Sequence, residues 1–109
     1  MKNKNGTTQI VAKDELLLWD ELGIEVEEAS NKVLKSADLE EGVLVTKITR
    51  GKISKQTQMR EGFIITKIDG QIIRNKNQLQ KALENKSGGV MIEGKYPELP
   101  NKYYYAFGM

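Results

Sequence analysis

The chain contains no histidine and no cysteine among its 109 residues. That removes Ser-His-Asp and Cys-based nucleophilic catalysis, zinc fingers, and the usual haem and iron–sulfur ligation. Ser54-Lys55 and Lys86-Ser87 set a hydroxyl beside an amine. A working Ser/Lys dyad needs an apolar, desolvating neighbourhood, which these polar segments lack, so no catalytic residue is assigned. Tyr103, Tyr104 and Tyr105 offer aromatic surface, but strand alternation puts Tyr104 opposite the other two, which favours packing over a ligand platform. What remains is chemistry of the main chain. The run Glu21-Leu22-Gly23-Ile24 could turn the N–H groups of Leu22, Gly23 and Ile24 toward one anion, with Gly23 allowing a bend and an approach that a Cβ would obstruct. Neither a metal site nor a cofactor is expected.

A chain of this length fits one domain, and its 39% hydrophobic and 29% charged residues suit a folded protein. The net charge is +2, from 17 Lys+Arg against 15 Asp+Glu. The bases are interspersed with acids and the densest basic segment lacks aromatics, so nucleic acid is not an expected partner. The longest apolar run, Leu16-Leu17-Leu18-Trp19, is too short to span a bilayer, and the polar residues Met1 to Thr8 do not form a signal peptide.

The elements that would position the main-chain site follow from periodicity. Thr7 to Lys13 is strand-like and follows Asn5-Gly6, a strong hairpin signal with almost no first arm, which suggests a cut end of a longer protein. Lys13 to Trp19 reads as a linker ending in an apolar plug. Leu22 to Glu27 alternates with period two, as a half-buried strand does. Ser30 can cap a short helix over Asn31 to Ser36, and Val43 to Ile48 is the next strand. Ile53 to Met59 reads as a short polar helical turn stopped by Gly62. Phe63 to Ile68 is apolar enough for a central strand, and Asp69-Gly70 turns it back through Ile72-Ile73. A helix capped by Asn75 or Asn77 then puts Leu79, Ala82 and Leu83 on one face, until Gly88-Gly89. Val90 to Glu93 and Tyr103 to Phe107 form a last hairpin around Pro97 and Pro100. The expected class is α+β: a partly open β-barrel or sandwich of five or six short strands with two or three helices.

From about Leu22 to Met109 this order resembles a PDZ domain of the bacterial type, as found in HtrA (Deg) serine proteases. The resemblance rests on Glu21-Leu22-Gly23-Ile24, on Gly42 to Ile48, on Met59 to Gly70, and on the helix Asn77 to Leu83. It departs where the family often has Gly-Asp and this chain has Gly62-Phe63. The segment Met1 to Lys13 is similar to the closing hairpin of a preceding PDZ domain. The resemblance therefore implies residues 1–18 as a remnant plus linker and residues 19–109 as the C-terminal, second PDZ domain of an HtrA-like endopeptidase, periplasmic or in the cell envelope.

It also implies a function. Such a domain adds an extended peptide or C-terminus as a strand to an exposed sheet edge, so its partners are peptides or unfolded-protein segments. The implied binding residues are Glu21, Leu22, Gly23, Ile24, Glu25 and Val26 on the edge side, with Leu79 and Leu83 on the facing helix. Leu22, Ile24, Leu79 and Leu83 would line an apolar pocket for the last side chain. Glu25, Glu27 and Glu28 would favour basic residues upstream. The alternatives are an assembly contact between subunits of the same protease, with an unused groove, and a PDZ-like module of another envelope protein.

Overall fold

Apolar residues at every second position place Ile24 and Val26 on one face of a strand and leave Glu25 and Glu27 to solvent. A computed structural model, which describes residues 18–86 and 88–109, builds this strand into the edge of an antiparallel sheet. Residues 18–22 are helical (α1). There follow β1 (Ile24–Glu28), α2 (Asn31–Ser36), β2 (Val43–Ile48), α3 (Lys52–Gln56), β3 (Ile64–Ile68), β4 (Gln71–Ile72), α4 (Lys76–Glu84), β5 (Gly89–Lys95) and β6 (Lys102–Gly108). The strand order is β1-β2-β3-β5-β6, with β4 also paired to β3.

β3 is central because it is buried on both faces. Ile65 and Ile68 join Phe63, Val43, Val45 and Ile92 in the main core, whereas Ile64 meets Leu34 and Ala37 of the α2 segment on the other side. A strand covered on both faces loses its alternation and reads as a continuous apolar run. Its turn has the expected chemistry. Asp69 at φ 50° and Gly70 at φ 85° both occupy the left-handed region, as a tight two-residue hairpin turn requires. The Asp69 carboxylate accepts the Met91 N–H at 2.8 Å and pairs with the Lys86 ammonium at 2.9 Å. These partners, the Met91 hydrogen bond first, hold the Asp69 carboxyl below the usual carboxylate range.

The helices have local causes too. The Ser30 hydroxyl accepts the Val33 N–H at 3.3 Å and starts α2 where the sequence puts it. The Asn75 side chain accepts the Gln78 N–H at 2.8 Å, and Leu79, Ala82 and Leu83 on α4 are buried together. α3 ends at Gln56, before the expected Met59, where Thr57 turns extended; its Ile53 is fully buried, so the turn is amphipathic and not merely polar. The Ser54 hydroxyl is engaged at the start of α3, accepting from Gly51 N–H at 3.0 Å and donating to Gly51 C=O at 3.2 Å. Ser87 lies outside the described residues.

Two sequence expectations are corrected at the start. Leu18 and Trp19, expected to end a linker, belong to helix α1, so the described residues hold four helical segments and not two or three. Leu22, expected in the first strand, is the last residue of α1, and Gly23 is the turn between helix and strand. The remnant hairpin and the rest of the linker, residues 1–17, lie outside the described residues.

Candidate functional site

The geometry of β1 follows from how its partner strand spends its amides. Thr49 N–H donates to Gly23 C=O at 2.7 Å, while Ile48 N–H turns away from β1 to the Glu61 carboxylate at 3.2 Å. The Ile24↔Ile48 pair is therefore of the non-hydrogen-bonded kind, and the N–H and C=O of Ile24 point away from β2. Past the irregularity between Glu25 and Val26 the same holds for Val26↔Val45, because Val45 N–H donates to Phe63 C=O at 2.8 Å. Among the described residues, no strand pairs with the other side of β1. Main-chain donors and acceptors of Ile24 and Val26 thus form an open edge.

α4 packs beside β1, and the two are tied at one end. The Glu28 carboxylate accepts the Lys76 N–H at 3.1 and 3.2 Å from its two oxygens, placing a negative charge on the first amide of α4. Along the strand runs a cleft of about 490 Å³. Its wall starts at Trp19 and Asp20, follows Ile24 to Glu27 with Thr46 and Thr49 of the β2 side, and ends at Lys76.

The expected binding residues divide by burial. Leu22, Ile24, Val26, Leu79 and Leu83 are all buried in the main core, none more than 5% exposed. Glu21 is exposed and pairs with Lys52 at 3.4 Å, and Glu25 is exposed on the outer face of β1. Gly23 is buried, and its role differs from the expected one. Its N–H donates to Trp19 C=O at 2.8 Å and closes the last turn of α1, so this amide is not available to a ligand. The close approach it permits is to the chain itself. At φ +77°, a Cβ on Gly23 would lie 2.8 Å from Gly51 Cα and N, and a Cβ on Gly51 would lie 2.5 Å from Leu22 O. Two glycines packed face to face hold the α1–β1 corner against the β2–α3 loop.

Sequence reasoning did not single out Gly51, Asp20, Thr46, Thr49 or Lys76. The one available signal was Trp19, the only tryptophan in the chain. Its indole N–H is buried without a hydrogen-bond partner among the described residues. The tyrosines fall as alternation requires: Tyr103 and Tyr105 pack on the core, and Tyr104 is 57% exposed. Phe63 packs against Tyr96 in a tilted arrangement and against Tyr105 edge-on, at centroid distances of 4.9 and 5.1 Å. The Tyr96 and Tyr105 hydroxyls meet at 2.7 Å, and Arg60 N–H donates to Tyr96 at 2.9 Å. Burial, then the Tyr96 bond, pushes the Tyr105 phenol up. Among the described residues no three His, Cys, Asp or Glu side chains are grouped to hold a metal ion, and no helix is long and apolar enough to cross a membrane.

An open strand edge beside one helix, on an antiparallel sheet, is an architecture shared with known proteins. The PDZ-domain family model matches residues 18–93, and the chain belongs to the PDZ family. Among solved structures it is similar to the crystal structure of the HtrA3 PDZ domain bound to a phage-derived ligand, FGRWV. That match has a TM-score of 0.66 and 17% sequence identity, and covers 80% of this chain and 81% of the other. At that identity the likeness speaks for the fold. No curated protein matches the chain.

Proposed function

We propose that this domain binds extended peptide segments by adding them as a strand to the open edge of β1. The observation that carries the reading is the outward direction of the Ile24 and Val26 main-chain groups, which offers a peptide ladder bonds without disturbing β2. The likeness to a PDZ domain with a peptide ligand supports it. The parent role follows from the sequence resemblance: a regulatory module of an HtrA-like serine endopeptidase of the periplasm or cell envelope, engaging unfolded-protein segments while another domain performs catalysis.

Titration with short synthetic peptides carrying an N-methyl group at one position at a time tests the binding mode. Strand addition expects methylation to abolish binding at alternate residues, where the peptide N–H faces β1, and to be tolerated between them. Equal tolerance at every position refutes it.

A second reading has an observation of its own. Met91 (44% exposed) and Tyr104 (57%) share the outer face of the β5–β6 pair, which favours a contact between subunits. Sedimentation of the domain, with and without Tyr104→Asp, tests it; a strictly monomeric chain removes this reading.

A further inference from the structure

The end of the groove where a peptide's last residue would lie has the wrong chemistry for a terminal carboxylate. Three main-chain donors there, Leu22, Gly23 and Ile24, could have formed an anion cradle. Gly23 N–H is held by Trp19 C=O at 2.8 Å. Leu22 N–H belongs to the last turn of α1. Only Ile24 points an N–H outward at this corner.

The charges agree with the donors. Among the described residues, Asp20, Glu25 and Glu27 line the cleft against a single cation, Lys76, which lies where β1 ends. None of the three acids forms an ion pair among the described residues. The Lys52 ammonium, close to the corner, is engaged by the Glu21 carboxylate and the Met109 carbonyl. Arg50 is exposed and is not part of the cleft wall.

Resting on the strand-addition reading, we infer that the site selects internal extended segments bearing Lys or Arg, and does not select chain ends. A terminal carboxylate would meet one amide beside Asp20, in a cleft that carries Glu25 and Glu27 further along, whereas an interior peptide bond meets the same edge with no charge to desolvate or repel. The ladder bonds at Ile24 and Val26 need only main-chain groups, which an internal segment supplies as well as a terminus.

The test uses one Lys-containing, Trp-free peptide in three forms: with a free carboxyl end, amidated, and extended at its C-terminus by Gly-Ser-Gly. Binding is followed on the protein by amide and indole resonances. The amidated and extended forms are expected to bind as tightly as the free acid, or up to about threefold tighter, in keeping with the small size of exposed charge effects. Tenfold or tighter binding of the free acid overturns the inference and leaves strand addition standing. Binding of none of the three overturns strand addition and this inference with it. Hydrogen exchange gives a readout without ligand: the Gly23 amide is expected to be protected in the free protein, and fast exchange there overturns the assignment.

Discussion

Replacing Gly51 by Ala isolates the contact that fixes the start of the binding strand. Gly51 has φ −178°, extended backbone that any residue adopts, so the substitution carries no conformational strain. It carries only a demand for space. The added Cβ would sit 2.5 Å from Leu22 O and 2.6 Å from Gly23 Cα and N. All three are main-chain atoms, so the α1–β1 corner must move by several tenths of an ångström or more, stretching the Thr49–Gly23 and Gly23–Trp19 hydrogen bonds. Overpacking of this kind costs about 1–3 kcal/mol, against which the stiffer unfolded chain returns roughly 0.4–1 kcal/mol. Gly89 serves as the control, because its φ is not positive and a Cβ there meets nothing within 4 Å. Gly89→Ala is expected to be neutral or to stabilise by up to about 1 kcal/mol. The two variants should therefore differ by roughly 2 kcal/mol. With a urea m-value of about 1–1.5 kcal/mol/M for a small domain, their midpoints should lie about 1.3–2 M apart. Equal midpoints for Gly51→Ala and Gly89→Ala would refute the role given to the glycine pair.

Three further outcomes are expected. The folded-state pKa of Asp69 is depressed, so its hydrogen bond and ion pair contribute stability that is fully present above the unfolded value near 4 and is lost as pH falls below it. Thermal scans from pH 6 downward should show a shallower acid decline for Asp69→Asn than for the parent, and identical profiles would contradict the assignment. Changing Glu25 and Glu27 together to Gln should weaken a Lys-bearing peptide by up to roughly fivefold per charge at low salt, leaving a neutral peptide unaffected, by calorimetry. Leu79→Ala should cost about 2–5 kcal/mol in denaturant unfolding, because Leu79 is fully buried in the main core; a loss below 1 kcal/mol would mark it as a groove residue.

Much of the fold was legible because its signals are local. The Ser30 cap, the strand Val43–Ile48, the Asp69-Gly70 turn and the α4 face each depend on residues within a few positions of one another. The central position of β3 was legible because burial on both faces removes alternation. Helix α1 was not: Leu18, Trp19 and Leu22 have helical spacing, but over only five residues, and the continuous run Leu16-Leu17-Leu18-Trp19 hides it. The state of the Gly23 amide was not legible either. A Leu-Gly-Ile run has the same composition whether its N–H groups face a ligand or close a helix, and the Trp19 carbonyl that decides it leaves no mark on side-chain pattern. Gly51 reads only as a loop glycine in the sequence, because its partner, Gly23, is 28 positions away in the chain. The outward edge of β1 depends on which residues of β2 pair with it; the apolar pattern of β1 chooses its core face, but the register shift between Glu25 and Val26 depends on the partner strand as well.

The central claim, that a peptide adds to β1, is tested most directly by amide hydrogen exchange at Ile24 and Val26 with and without a saturating peptide. Both N–H groups point to the open edge. Strand addition predicts that their exchange slows markedly on binding, while Glu25 and Glu27, facing β2, change little. Peptide binding that leaves Ile24 and Val26 exchanging at their free rates would contradict it.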